Sequence, residues 1–353
     1  MKKIIAVLLS LILIICLCSC NEPQEGLSQN GSNSSTSQQS KPTPEPEEMK
    51  DINIKLSFTG DMILAQYAGC PHADAFDYYA KNQPPTYFLE KVRSYFTEDD
   101  FTVVNLENVL SDRSLTPITK NYSPAFWFKS KTSNIEILSS SGVEAVMINN
   151  NHIRDYGQDG YNDTVAAIEG AGLQYGNDGK IIYLEKQGFK ISVICVAIWG
   201  SSNTQNALNR LAEASAQSDY QIIFFHGGTE KIHAPEQWKI NAARALIDNG
   251  ADLVVGSHPH VLQPRETYNG HEIVYSLGNF CYGGARKPEN RTVIYQVELT
   301  VDLEKQVKDF NSELIPCYVY TGSANNFQPA PIEEGPIKQK VLDFMEGKCS
   351  SPV

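Results

Sequence analysis

From Ile52 onward, runs that favour β-strands alternate with runs that favour α-helices, and this order constrains the fold more than any other feature. The strand-forming runs are INIKLSFTG, FTVVNLE, VEAVMINNN, ISVICVAI, YQIIFFHGG and ADLVVGSH. Between them lie TYFLEKVRSYF, SNIEILSSSG, YNDTVAAIEGAG, QNALNRLAEASAQ and APEQWKINAARALIDNG, which favour helices. This order is typical of α/β proteins, and the continuous Val, Ile and Phe runs indicate strands that are covered on both faces.

The character of the chain changes at Glu272, where strand-forming runs follow one another without long helices. The runs EIVYSLGNF, RTVIYQVELTVD and QVKDFNSELIPCYVY predict an antiparallel portion. Together the two parts predict an α/β fold, a layered α-β-β-α sandwich with helices outside and sheets inside. We assign residues 51–325 to this domain and residues 326–353 to a C-terminal extension.

Residues 1–20 have the layout of a secretory signal peptide, with two lysines, an apolar run and then small residues. The segment LCSC resembles the bacterial lipobox, which implies cleavage before Cys20 and attachment of a lipid to that residue. An ordinary secreted protein and an uncleaved membrane anchor are the alternatives. We therefore expect an extracytoplasmic protein that is lipid-anchored to the bacterial cell membrane.

Residues 21–50 are rich in Ser, Gln, Asn, Pro and Glu and have almost no large apolar side chains. Such a segment buries too little apolar surface to order itself. We expect a disordered tether that holds the domain away from the membrane surface.

Charge and cysteine content argue against two classes of function. The formal net charge of −12 argues against nucleic acid as a partner. The five cysteines that follow the signal peptide are widely spaced and show no zinc-finger or thioredoxin-like pattern. Cysteine chemistry is therefore not the expected function, although an exported chain is compatible with one or two disulfides.

Polar residues stand where the strand-forming runs end, and in α/β sheets ligands bind outside the carboxyl ends of the strands. Singly, each residue has a structural explanation: Asp61 could cap a helix, Asn151 could form an Asx turn and His226 could be a core histidine. Jointly they match the carboxylate, amide and imidazole set that binds two divalent ions such as Mn²⁺, Fe²⁺ or Zn²⁺. The candidate ligands are Asp61, Glu107, Asn151, His226, His258 and His260.

The ordered motifs GD, NLE, NNNH with DYG, HGGTE, GSHPHVLQP and YSLGNF resemble those of the CapA family, the poly-gamma-glutamate capsule synthesis proteins. The resemblance covers about residues 53–285, with the motifs in the family's order. It implies a domain similar to the calcineurin-like metallophosphatases, with two metal ions at its site.

The resemblance also implies a role for each ligand. Asp61 takes the place of the first phosphatase aspartate, and Glu107 that of the carboxylate that bridges the two ions. Ile63 stands where phosphatases usually have a ligand histidine, which implies that one ion has fewer ligands or is held more weakly. The remaining implied ligands are Asn151, His226 and His258 for the second ion and His260 for the first.

The implied mechanism is attack by a metal-activated water on an electrophilic centre, with His152 protonating the leaving group. Asp155, Glu230 and Asn279 are candidates for contacts with the substrate or for support of the ligands, and Asp155 could equally be a helix-start residue. His233 is a further candidate of the same kind.

The stretch from Asn108 to Lys131 is predicted to be a long irregular insertion, and such insertions often bind substrate. Arg113, Lys120 and Lys129 could bind carboxylates of an acidic polymer there, or could simply be solvated.

The resemblance implies a role in making, releasing or anchoring poly-gamma-glutamate or a related acidic surface polymer. Expected partners are that polymer, the cell membrane through lipidated Cys20, and membrane-bound capsule synthesis proteins. The first hypothesis is a metal-dependent component of the hydrolase or transferase type. The alternatives are a metallophosphoesterase that acts on envelope phosphoesters and a non-catalytic protein for polymer binding or export assembly.

Overall fold

The computed structural model describes residues 50–353. The predicted signal peptide, the predicted lipidation site Cys20 and the predicted tether up to residue 49 lie outside the described residues. Within residues 50–353, no helix combines the length and the apolar character that crossing a membrane requires.

Strands and helices are numbered in chain order. The strands are β1 (Ile52–Ile63), β2 (Phe101–Leu106), β3 (Val109–Leu110), β4 (Lys129–Ser130), β5 (Ala145–Met147), β6 (Gln174–Gly176), β7 (Ile182–Lys186), β8 (Phe189–Ala197), β9 (Tyr220–His226), β10 (Leu253–Ser257), β11 (Leu262–Tyr268), β12 (His271–Leu277), β13 (Asn279–Tyr282), β14 (Thr292–Val301), β15 (Val307–Tyr318) and β16 (Ala330–Pro331). The helices are α1 (Phe76–Asn82), α2 (Arg93–Thr97), α3 (Glu136–Ser139), α4 (Gly157–Gly170), α5 (Ser201–Ser215), α6 (Gln237–Asp248) and α7 (Pro336–Met345), with turns of 3-10 helix at Pro85–Tyr87 and Thr132–Ile135.

Most strands belong to two mixed sheets. The first has the order β16-β15-β14-β1-β2-β5-β6, and β13 also pairs with β1. Within it, β1, β2, β5 and β6 run parallel, whereas β14, β15 and β16 form its antiparallel side. The second sheet has the order β11-β12-β10-β9-β8-β7, with parallel strands in the middle and an antiparallel strand at each edge.

The two sheets pack face to face, and helices cover their outer faces. Phe58 of β1 and Phe224 of β9 meet between the sheets, with ring centroids 5.6 Å apart. Val103 joins this inner core, while the next residue, Val104, packs with the helices outside the first sheet, as the alternation of side chains along a strand requires. Leu246 of α6 lies in the corresponding core outside the second sheet. The predicted α-β-β-α sandwich is confirmed.

The run EIVYSLGNF is two strands rather than one. Gly278 has a φ of 73°, a left-handed conformation that glycine adopts without strain, and the chain passes there from β12 in the second sheet to β13 in the first. β12 pairs antiparallel with β11 but parallel with β10, and β13 runs parallel to β1. The predicted antiparallel portion therefore holds fully for β14 and β15 only.

The run TYFLEKVRSYF is also broken, because its apolar side chains follow the shape of the core rather than a helical repeat. It forms a 3-10 turn at Pro85–Tyr87 and the short helix α2, with Phe88, Leu89, Val92 and Phe96 all buried outside the first sheet. The sequence analysis did not predict α1, β6, β7 or β11.

The C-terminal residues pack into the sandwich. Val341, Phe344 and Met345 of α7 belong to the core between the sheets, and β16 pairs with β15 at the edge of the first sheet. Residues 330–345 therefore contribute to both the sheet and the core.

The five cysteines of the described residues are all unpaired. Burial raises the pKa of the Cys195, Cys281 and Cys317 thiols far above the ordinary value. These three residues therefore serve as small apolar side chains in the core.

Candidate metal centre

The carboxyl ends of strands from both sheets meet at one rim of the sandwich. In the first sheet, Asp61 lies near the end of β1, Glu107 directly follows β2, and Asn151 follows β5. In the second sheet, His226 is the last residue of β9 and His258 directly follows β10. The structure brings all the predicted ligands together, namely Asp61, Glu107, Asn151, His226, His258 and His260.

Four donor atoms converge where the resemblance places the second ion. His226 Nε2 lies 2.7 Å from Asn151 Oδ1, 3.0 Å from His258 Nδ1 and 3.5 Å from Glu107 Oε1. Donor atoms bound to one ion at about 2.1 Å lie about 3–3.5 Å from one another. The three atoms thus lie 2.7–3.5 Å from His226 Nε2, close to the spacing of atoms that share one ion.

The first ion's expected ligands lie beside this set. His260 Nδ1 is 3.1 Å from Asp61 Oδ2, and His260 Nε2 is 3.9 Å from Glu107 Oε1. The donor atoms also fall into two other groups, each within 4.8 Å, formed by Asp61, Glu107 and His226 and by Glu107, His258 and His260. Glu107 belongs to both groups under either division.

Glu107 is the residue that most clearly fits a divalent cation. It is fully buried, and neither carboxylate oxygen accepts a hydrogen bond from the residues the structure describes. Burial raises the pKa of this carboxyl well above its ordinary value, against the opposing pull of His260. A buried carboxylate surrounded by imidazoles and without a hydrogen-bond donor among the described residues is costly unless a positive charge balances it. A divalent ion held there would supply that charge.

The histidines differ in their proton affinity. Burial, together with neighbouring imidazoles, holds the pKa of His226 and of His258 well below the ordinary value. Burial also lowers the pKa of His260, but Glu107 and Asp61 outweigh it and raise the pKa to about 9. His226 and His258 are thus neutral and ready to bind metal, whereas His260 must first lose a proton.

The backbone that carries the two rim histidines is strained. His258 has a φ of 96° and His260 a φ of 59°, in a region that residues other than glycine rarely occupy. The backbone N–H of His258 lies 3.2 Å from both carboxylate oxygens of Asp61, and the N–H of Lys231 donates to Pro259 O at 2.7 Å. These contacts hold an uncommon conformation in place, as is typical of functional sites.

Asparagines next to the ligands form a supporting network that the sequence analysis did not assign. Asn105 Nδ2 donates to Asp61 Oδ1 at 2.8 Å and lies 3.0 Å from His226 Nδ1. Asn150 Nδ2 donates to Asn105 Oδ1, and Asn150 Oδ1 accepts the backbone N–H groups of His152 and Ile153. Their position inside the NLE and NNNH motifs was the available signal.

A cavity of about 450 Å³ opens beside the centre. It is lined by His152 and His260, by the exposed carboxylate Glu230 and by the aromatic side chains of Phe126 and Tyr282, among others. A substrate in this cavity would contact His152 and the predicted ligand His260 together.

Two aromatic residues at the centre were not predicted. The Tyr282 ring lies 5.1 Å from the His260 ring, and burial, with help from Glu107, raises the pKa of Tyr282 well above the ordinary value. Trp199 follows β8, is 44% exposed and lies 4.8 Å from the His258 ring. Tyr282 lies two residues beyond the YSLGNF motif, whereas no sequence motif marked Trp199.

Comparison with known proteins identifies the family. The sequence profile of the family described as bacterial capsule synthesis protein PGA_cap matches residues 55–283. The chain belongs to this capsule synthesis protein family. The predicted resemblance to the CapA family is confirmed, and the matched segment contains all the candidate ligands, His152 and Asn279.

Curated relatives carry related names. The chain is 27% identical over 318 residues to the PGA biosynthesis protein CapA of Bacillus subtilis, which is 82% of this chain and 76% of that protein. It is 28% identical over 243 residues to the capsule biosynthesis protein CapA of Bacillus anthracis, covering 60% and 58% of the two chains. A probable polyglutamine synthesis accessory protein of Mycobacterium tuberculosis is 24% identical over 221 residues, covering 52% of this chain and 56% of that protein.

Within this capsule-family site, the secondary candidates support the primary residues. His152 Nδ1 lies 2.8 Å from Asp155 Oδ2, and Asp155 is fully buried. Asn279 Oδ1 lies 3.0 Å from His260 Nδ1, and Asn279 Nδ2 donates to His260 O. Asp155 therefore positions His152, and Asn279 positions His260, while Glu230 faces the cavity.

Other candidate residues lie away from the metal ligands. Ile63 is fully buried in an apolar cluster, so this position supplies no ligand atom. His233 contacts Glu289 at 3.1 Å. Arg113 pairs with Asp163 at 2.8 Å, and Lys120 is buried against Asp155, so both charges are already balanced inside the chain. That Arg113, Lys120 and Lys129 bind polymer carboxylates stays a prediction.

Proposed function

We propose that this protein is a membrane-tethered, extracytoplasmic component of poly-gamma-glutamate capsule synthesis, with a dinuclear metal centre of the hydrolase or transferase type. The observation that carries the proposal is Glu107. Its two buried oxygens accept no hydrogen bond from residues 50–353, and they lie among the histidines of both candidate ligand groups.

The names of the relatives support the choice of polymer. The Bacillus subtilis relative is a PGA biosynthesis protein, and the family is one of capsule synthesis. A lipid anchor at Cys20 and the tether after it would place the domain at the outer surface of the membrane, where a capsule polymer emerges. The proposed partners are therefore the polymer and the membrane-bound proteins that make it.

Two divalent ions would be held by Asp61, His260 and Glu107 on one side and by Glu107, Asn151, His226 and His258 on the other. Bound there, such ions supply Lewis acidity, which polarises an acyl or phosphoryl oxygen and lowers the pKa of water. Asn105 and Asn279 fix the carboxylate and imidazole donors, so the chain itself preorganises the site.

His152 is the proposed proton donor to the leaving group. Its Nδ1 contacts Asp155 Oδ2 at 2.8 Å, whereas its Nε2 makes no hydrogen bond to any residue in the described part of the chain. Since His152 lines the cavity, Nε2 is the ring nitrogen available to a substrate. The neutral ring has its one proton on Nδ1, facing Asp155, so Nε2 donates a proton only from the doubly protonated ring. Burial lowers the pKa of His152, and its hydrogen bond to Asp155 opposes this shift.

The function is tested in cells that depend on this protein for their surface polymer. His152→Ala and His258→Ala are expected to abolish polymer production, because they remove the proton donor and a metal ligand. His271→Ala is the control, since His271 lies at the start of β12, at the opposite end of the strand from the rim, and should leave production unchanged. If His258→Ala abolishes production and His152→Ala does not, the centre organises a binding surface and catalysis is contradicted.

The reaction class is tested on the purified protein. Full-length protein in detergent, loaded with Mn²⁺, is expected to cleave or transfer gamma-glutamyl amides and to leave nitrophenyl phosphates intact. The reverse preference would assign a phosphoesterase instead. Cys20→Ser is expected to move the protein from the membrane fraction to the soluble fraction, and unchanged fractionation would contradict the lipid anchor.

A further inference from the structure

The insertion between Asn108 and Lys131 places a buried positive charge near the Nδ1 side of the His152 ring. Lys120 lies in this insertion, yet its side chain is only 5% exposed. Its Nζ is 2.5 Å from Asp155 Oδ1 and 3.4 Å from His152 Nδ1, and it donates to Phe126 O at 2.6 Å. A lysine on a loop is ordinarily solvated, so burial of this one needs a reason.

Asp155 is the point at which the insertion meets His152. Its Oδ2 accepts the backbone N–H of Phe128 at 2.8 Å and lies 2.8 Å from His152 Nδ1. Its backbone carbonyl accepts the N–H of Ile118 at 2.9 Å. Three separate contacts from the insertion, two of them backbone groups and one the Lys120 ammonium, therefore end on the residue that holds the imidazole.

Charge balance explains why the Lys120 ammonium lies against Asp155. A fully buried carboxylate is costly unless it is paired and hydrogen-bonded, and removing one partner of such a pair leaves an uncompensated charge. Lys120 pairs with Asp155 Oδ1 as an ion pair, while Oδ2 accepts the Phe128 N–H and contacts His152 Nδ1. The carboxylate can then accept the Nδ1–H of His152 and fix the tautomer of the ring, as carboxylates do for histidines in other sites.

We propose that Lys120 is a positioning residue for His152. Through Asp155 it holds the imidazole with Nδ1 protonated and turned away from the cavity, and with Nε2 directed toward the substrate. The value of this arrangement for catalysis depends on the proposed function, but the arrangement itself is a property of the folded chain. The insertion is then part of the site machinery rather than a separate surface for polymer.

The direct test is the state of the His152 ring by nitrogen NMR. Full-length protein in detergent, labelled with ¹⁵N-histidine and loaded with Zn²⁺, is compared with His152→Gln, which assigns the His152 signals. The inference predicts a single Nδ1-protonated tautomer in the wild type. An Nε2-protonated or mixed ring in the wild type would overturn it, and this readout needs no variant at Lys120 to fold.

The variants then isolate the role of Lys120. Lys120→Met and the shorter polar Lys120→Gln are expected to shift the His152 ring signals and produce a mixture of tautomers, with the metal content unchanged. Lys131→Met is the matched control, because Lys131 is an exposed lysine in the same insertion. Unchanged His152 signals in a folded Lys120 variant would overturn the inference and leave Lys120 as a loop anchor only.

Polymer production separates this inference from the proposed function. Lys120→Met is expected to lower production at least tenfold, toward the level of His152→Ala, while Lys131→Met stays at the wild-type level. If His152→Ala leaves production unchanged, the catalytic role of His152 fails, and the NMR result alone decides whether Lys120 positions the ring. If His152→Ala abolishes production and Lys120→Met does not reduce it, the positioning role in function is contradicted.

Discussion

At the rim, burial of charged groups determines the proton affinity of single residues. Glu107 is buried and accepts no hydrogen bond from the residues the structure describes. Beside it, the carboxylates raise the pKa of His260 to about 9, although burial alone would lower it. In the absence of metal, a proton on His260 is thus the cation that offsets part of this negative charge. If His260 binds an ion, the ring must give up this proton, so metal binding and protonation would compete.

This competition predicts how metal affinity depends on pH. Because His260 must lose its proton to bind an ion, apparent affinity should rise about tenfold per pH unit between about pH 7 and pH 9 and level off above the pKa. Chelator competition with Zn²⁺ across this range measures it. His260→Gln should weaken binding and flatten the slope, whereas His271→Ala should keep both. A wild-type affinity independent of pH would contradict the assignment of His260 as a ligand.

At the scale of elements, the centre depends on a close approach between β1 and β13. The backbone N–H of Asp61 donates to Gly278 O at 2.8 Å, which joins the first candidate ligand to the turn that precedes Asn279. A Cβ added at Gly60 would lie 1.9 Å from Gly278 O, so this contact requires glycine at position 60. The GD motif therefore includes a packing requirement as well as a ligand.

Gly60→Ala is expected to destabilise the fold by about 1–3 kcal/mol or more, because backbone atoms must move to relieve the clash. It should also lower metal retention, since Asp61 moves with β1. Gly170→Ala is the control: Gly170 ends α4 with open space around it, and alanine there should be neutral or slightly stabilising. Chemical denaturation and metal content measure both. If Gly60→Ala is as stable as the wild type, the close contact between β1 and Gly278 is not required for stability.

The same elements show how much the sequence could predict. The strand ends that carry Asp61, Glu107, His226 and His258 were predictable because buried Val, Ile and Phe runs stop at polar residues. The break at Gly278 was not, because a strand that changes sheets keeps its apolar pattern.

Support for the site was harder to predict than its ligands. Asn105 and Tyr282 reach the centre only because strands distant in sequence pair side by side. A local sequence pattern does not show which distant strands pair. The burial of Lys120 likewise depends on where the insertion folds back onto the domain, and a local sequence pattern does not show this. The sequence analysis therefore did not predict that Lys120 is buried.

At the scale of the whole molecule, the candidate centre joins the two sheets. Asp61, Glu107 and Asn151 come from the first sheet, while His226 and His258 come from the second. An ion bound by both sets stabilises the native packing of the two sheets in proportion to its affinity, because it binds the folded state alone. The free energy of unfolding is thus expected to increase when metal binds and to decrease when metal is removed.

The most direct test of this account is the metal content of the full-length protein, purified in detergent and measured by plasma mass spectrometry. The account predicts about two divalent ions per chain, as a bridged dinuclear site requires. Glu107→Ala and His258→Ala should lose them, and His271→Ala should retain them. A wild-type protein that binds no metal, even after loading with Mn²⁺ or Zn²⁺, would contradict the metal centre and leave the rim histidines as a metal-free binding surface.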